Sequence, residues 1–205
     1  MEPKLLPDAL VMLDYFGIGV FAVSGALAAA ERKLDFVTFI FFAVVTGVGG
    51  GTLRDLLIGA PVFWVNTNST LLICIGAALG VWFLSHRAIV ERAVLWFDAV
   101  GMAAYAIYGA SKALTYGVSP IPAFVMGVLT ACAGGIIRDI LANEPTILLR
   151  RELYITPAAL ASGLFVTLFV AGLPAFVAAA ISAVAGFILR ALAITRGLTL
   201  PRYNR

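Results

Sequence analysis

Residues 14–61 recur at 98–145, an offset of 84 positions that needs no gap: Asp14 returns as Asp98, Gly17 as Gly101, Gly25 as Gly109, Thr46 as Thr130 and Pro61 as Pro145. The run Gly50-Gly51-Thr52-Leu53-Arg54-Asp55 returns as Gly134-Gly135-Ile136-Ile137-Arg138-Asp139. Of these 48 positions 14 are identical, and the identities fall mainly on glycines, small residues and charges. A shared lipid-facing composition would repeat aliphatic residues instead. The chain is therefore confined to folds assembled from two copies of one unit, each carrying the same polar motif.

The solvent of that fold follows from composition. With 62% hydrophobic residues, 12% charged and a mean hydropathy of +1.03, the chain falls far below the charged fraction of about a quarter usual in soluble domains. A spanning helix needs about 20 mostly apolar residues, and such windows lie near 10–30, 36–58, 69–85, 94–113, 119–141, 155–172 and 174–195. The expected fold is an all-α integral membrane domain over 1–205, with one repeat over about 10–85, a second over about 94–172, and an extra helix over about 174–195. Gly172-Leu173-Pro174 reads as a turn between the last two spans. Met1 to Asp8 lack the basic segment of a secretory signal, so the first span is expected to stay in the mature protein.

Each copy contains three spans, an odd number, so the second must cross the membrane in the opposite sense. This predicts an inverted three-plus-three repeat about an axis in the membrane plane, with the permeation or binding path near the glycine-interrupted spans two and five. Lys4, Arg54 and Lys112 fall on the N-terminal side and the other 11 of the 14 lysines and arginines on the opposite side. That bias predicts an outside N-terminus and a cytoplasmic C-terminus. The net charge of +3 thus reports topology. Without aromatic interleaving it does not describe a nucleic-acid surface, and no nucleic-acid partner is expected. Trp64, Trp82, Trp96 and Tyr154 near span ends read as interfacial anchors.

Gly47, Gly49, Gly50, Gly51, Gly134 and Gly135 lie well inside spans two and five, where each costs close to 1 kcal/mol of helix propensity against Ala. Two readings offset that cost. The glycines let backbones pack closely, or they kink or break the helix so that carbonyls line a path. Arg54, Asp55, Arg138 and Asp139 follow one turn later and are pore-mouth or vestibule candidates, against the alternative of interfacial pairs capping helix ends. In a helix Arg54 leans back over Gly50 and Asp55 over Gly51, so the glycines could open room for the charges. Asp14 and Asp98 either complement helix dipoles or stand at a pore mouth. Thr46 and Thr130, with Ser24 and Tyr108, offer hydroxyls to a cation or to neighbouring helices. Lys112, with Ala28 at its place in the first copy, either snorkels to the interface or moves in the field as a gate.

No catalytic constellation is visible. The stretch FFAVVTGVGGGTLRD (41–55) imitates a dinucleotide loop but lies within a span, lacks an acidic residue about 20 positions on, and loses its spacing in the second copy. His86 is the sole histidine, in an expected loop, and Cys74 and Cys132 stand alone in separate spans. No enzyme, metal or cofactor is expected.

Seven spans in this arrangement, with TGVGGGTLRDLLIG (46–59), GGIIRDILANEP (134–145) and LLRRELYITPAAL (148–160), resemble the short prokaryotic branch of the trimeric intracellular cation (TRIC) channels over residues 8–195. The resemblance implies a homotrimer in a prokaryotic inner membrane, each subunit holding its own pore around helices two and five, with membrane lipid and monovalent cations (potassium, with sodium) as partners. It also implies that Lys112 corresponds to a fourth-helix lysine of the animal channels that is implicated in voltage-dependent gating. Span two lacks the basic-acidic-valine motif of those channels and reads Gly-Gly-Gly-Thr, so phosphoinositide binding is not carried over. Sequences of this branch have also been named glycine transporters, which keeps a secondary transporter of small amino acids as the second reading.

Overall fold

The structure, a computed structural model, describes residues 8–84, 90–146 and 153–201. Among them run α1 (Asp8–Glu31), α2 (Phe36–Leu57), α3 (Asn68–Leu84), α4 (Val90–Thr115), α5 (Pro120–Leu141), α6 (Ile155–Val170) and α7 (Ala175–Arg196). These match the seven expected windows to within a few residues. Lys4, His86, Arg87, Arg150, Arg151, Arg202 and Arg205 lie outside the described residues. Five helices are long and apolar enough to cross a membrane, whereas α3 and α6, with 17 and 16 residues, are shorter apolar helices. The two short ones are the third helices of the two copies. Their shared shortness is a property of the repeated unit.

Local chemistry sets the helix ends. Asp35 caps α2 by accepting from the Thr38 amide at 3.0 Å and its hydroxyl at 2.6 Å. Those bonds hold the Asp35 carboxyl below its ordinary value. Ser119, its mate 84 positions on, precedes α5, where Pro120 suits the first helical position. Both helices have 22 residues and end alike: the Ala60 amide donates to the Asp55 carbonyl and the Glu144 amide to that of Asp139, each at 2.9 Å. The turn at Gly172 needs a φ of 94°, a left-handed conformation open to glycine.

α1 packs on α4 and α2 on α5, each helix against its own repeat mate, and the contacts are reciprocal. A Cβ on Gly17 would lie 2.7 Å from the Tyr105 ring, and one on Gly101 would lie 2.9 Å from the ring of Phe21, the mate of Tyr105. A Cβ on Gly50 would collide with the Thr130 carbonyl oxygen, and one on Gly134 would lie 2.6 Å from that of Thr46. Contacts that exchange under the 84-residue offset are those of two copies related by a two-fold axis, with α7 added outside the pair.

These contacts show close packing at the glycines. α2 and α5 run as uninterrupted α-helices through Gly47–Gly51 and Gly134–Gly135, so no break occurs. The glycines bring backbone onto backbone, and Gly47 packs on Cys74 of α3 while Gly49 meets Ile137 of α5. Nor does Gly50 make room for Arg54, because the facing helix fills that place. Gly135 has a guanidinium beside it, with Arg138 Nη2 at 3.6 Å. Glycines with no such neighbour should behave oppositely. Nothing lies within 4 Å of a Cβ on Gly76 or Gly80 in α3. Gly76→Ala and Gly80→Ala are therefore expected to stabilise the protein by up to about 1 kcal/mol, read as a higher unfolding midpoint in detergent.

Candidate functional site

The duplicated charges meet in two clusters at opposite ends of the bundle. At the near end, where α1 begins, Asp55 is fully buried and gathers three donors. Arg54 Nε lies 2.8 Å from Asp55 Oδ1, Lys112 Nζ 2.9 Å from Oδ2, and the Phe63 amide 3.1 Å from Oδ2. The Arg54 guanidinium rests 4.9 Å from the Tyr108 ring centroid and 5.9 Å from that of Phe63. Asp14 joins from α1 beside the Tyr105 and Tyr108 hydroxyls.

The far end repeats the pattern in the other copy. Arg138 Nη1 donates to Asp98 at 2.8 Å and to Ser24 at 2.5 Å, while Nη2 and Nε reach Asp139 at 2.7 and 2.9 Å. One guanidinium thereby ties α5 to α4 and α1. From α7, Arg190 donates to the Leu153 carbonyl at 2.8 Å and lies 5.3 Å from the Tyr154 ring. Arg32 and Glu144 form an ion pair between the α1–α2 and α5–α6 connections.

Burial corrects several expectations. Arg54, Asp55, Arg138 and Asp139 are 0–5% exposed, so they do not cap helix ends at an interface. Lys112 does not snorkel: it is 6% exposed and paired to Asp55. Asp14 and Asp98 stand beyond the first turn of α1 and α4, where the helix-dipole reading does not apply. Tyr154, expected as an interfacial anchor, is 3% exposed and packs against Gly135. Trp82 keeps a 40% exposed position, edge-on to Phe36 and Phe39. Trp64 donates to the Thr52 hydroxyl at 2.8 Å. Buried ion pairs of this kind persist because each charge is compensated by its neighbours, not because pairing is cheaper than apolar packing.

Between the clusters, the hydroxyl groups of Thr46 and Thr130 are buried against Gly25 and Gly109, and Thr130 donates to its own helix at the Met126 carbonyl. They sit beside the α2–α5 contact and face α1 and α4. In the sequence Arg190 counts only toward the charge bias that sets topology. An arginine this deep in the apolar last span was itself a signal of a buried partner.

Seven apolar helices folded as an inverted duplication, with a charge cluster buried at each end, define an integral membrane protein of the inverted-repeat class. A family model described as "Glycine transporter" matches residues 11–86 and again 95–171, once on each copy. The UPF0126 membrane protein of Vibrio cholerae is 44% identical over 172 residues, covering 81% of this chain and 70% of that one. The UPF0126 inner membrane protein YadS of Escherichia coli K12 is 34% identical over 197 residues, covering 93% and 94%. The crystal structure of a TRIC trimeric intracellular cation channel orthologue from Rhodobacter sphaeroides superimposes with a TM-score of 0.89 at 42% identity, over 94% of this chain and 100% of that one. The chain belongs to this family, the prokaryotic TRIC channels, whose sequence model carries the glycine-transporter description.

Proposed function

We propose that the protein is a cation channel, permeable to potassium, with a path inside each subunit of a homotrimer in an inner membrane. The observation that carries the reading is the likeness to the Rhodobacter sphaeroides TRIC channel along the whole of that chain. The path runs between the near and far clusters along α2 and α5, and the contact of Gly50 with Thr130 and of Gly134 with Thr46 closes it. The positive-charge bias supports an outside near end and a cytoplasmic far end. Setting aside the buried Arg54, Lys112, Arg138 and Arg190 sharpens that bias, leaving Lys4 against nine residues on the other side.

Purified protein in liposomes should pass potassium down its gradient with single-channel currents in bilayers. Saturable glycine uptake driven by another gradient, with no currents, would replace this reading by the second one. That second reading, a secondary transporter of small amino acids, is favoured by the family description on both copies.

Lys112 is the gating candidate at the near end. Lys112→Ala leaves Asp55 with Arg54 and the Phe63 amide, so the expected stability loss is about 1–3 kcal/mol and trimers should still form. Open probability or its voltage dependence should change. Currents matching wild type at every voltage would leave Lys112 a structural ion-pair partner only.

A further inference from the structure

The two copies differ where their second and third helices meet. In the first copy the Trp82 ring, near the end of α3, lies edge-on at 5.3 Å to Phe36 and 4.9 Å to Phe39 at the start of α2. The 84-residue offset puts Val166, Pro120 and Ala123 at those three positions, and Gly163 and Thr167 where the first copy has Leu79 and Phe83. All five exchanges are to smaller side chains. The offset holds through both third helices, since the buried Cys74, Ala78 and Val81 answer to the buried Ala158, Ser162 and Phe165. What the exchanges leave between α5 and α6, at the near end, is a groove of about 510 Å³ lined by Ile121, Phe124, Gly163, Val166 and Val170. That volume is within the range of about 300–1,000 Å³ found for sites that hold whole ligands.

We infer that this groove holds one acyl chain of a phospholipid from the near leaflet, in the place that Trp82 fills in the other copy. It opens outward between two membrane helices, with Ile121 78% and Val170 60% exposed, so hydrocarbon reaches it directly. The polar side chain in its wall, that of Thr167, is spent on the Gly163 carbonyl of its own helix at 2.8 Å. The wall therefore offers neither the interhelical hydrogen bond nor the stripe of small residues that joins helices in lipid. A flexible chain needs neither, and it can follow a rim too bulky for a partner backbone. Connections 58–67, 116–119 and 171–174, which close the near end, carry no charged residue, so a headgroup finds no ionic partner in them. Recognition is of the chain alone. The site stands whichever solute crosses the protein.

The probe is a phosphatidylcholine with a photoactivatable group on one acyl chain, irradiated with the wild-type protein in liposomes. Adducts should form on the groove residues of α5 and α6, and a phosphatidylglycerol carrying the same chain should label them equally. Gly163→Leu combined with Val166→Trp gives the second copy the residues of the first and fills the groove. Labelling there should fall at least about ten-fold, the effect of excluding two or more methylenes, while adducts on the exposed face of α2 stay at the wild-type yield. Gly163→Leu by itself should lower labelling in the same direction, and it decides alone if the double variant does not fold. A Cβ at that position meets only the Phe124 ring, at an ordinary 3.4 Å. Labelling that neither variant changes, or that depends several-fold on the headgroup, would overturn the inference. So would a groove left unlabelled in the wild type, whether empty or covered by a second copy of the chain, which cross-links between subunits would reveal.

Discussion

Asp55→Asn is expected to lower unfolding stability by about 3–5 kcal/mol, the scale on which removing one partner strands a buried charge. The carboxylate lies 2.7 Å from Arg54 Nη2 and 2.8 Å from Lys112 Nζ, and side-chain exposure at the three residues is 0–7%. Without its charge, two cations face each other across a neutral amide in a site shut off from water. Combining Asp55→Asn with Lys112→Met removes one of the stranded cations and should recover part of the loss. The check is the thermal unfolding midpoint of the single and double variants in detergent. A single variant that melts with wild type would mean that Asp55 does not hold the two cations.

Gly50→Leu and Gly134→Leu are expected to cut flux roughly ten-fold or more, the scale of a 1–3 kcal/mol overpacking cost borne by the moving contact. At Gly50 the first added carbon already meets the Thr130 carbonyl, which belongs to helix backbone and cannot rotate away. The wedge holds α2 off α5 along the proposed path. Insertion is a property of the apolar segments, which these changes leave in place, so the amount of protein in the membrane should stay near wild type. Flux per inserted molecule at the wild-type level would make the two glycines passive packing positions.

Hydropathy and repetition determined the architecture. The free energy of moving a segment into lipid is a sum over its own residues, so seven windows could be laid on the chain and found within a few residues of α1–α7. An odd number of spans in each copy dictated the inversion, and the 84-residue offset paired every element with its mate. The duplicated Arg-Asp motif likewise marked where two polar clusters would form, because charges in a span require protein or water around them.

Which charges meet was decided by the tertiary structure alone. Lys112 and Asp55 stand 57 residues apart, and Ser24 and Arg138 stand 114 apart. No periodicity announces such pairs, since helices in lipid associate through shape and hydrogen bonds without an apolar stripe to mark the contact. The same limit left the glycines ambiguous. A glycine that admits a neighbour's backbone does not name that neighbour in sequence, and only the tertiary structure brings the Thr46 and Thr130 carbonyls against Gly134 and Gly50 across the α2–α5 contact. The unequal pairing in the two clusters lies wholly at this level. Two copies that share Asp, Arg and Asp differ in what surrounds the arginine, Ser24 and Ala28 at one end against Tyr108 and Lys112 at the other, and the pairs differ with them: Arg138 reaches Asp98, whereas Asp55 holds Arg54 and Lys112.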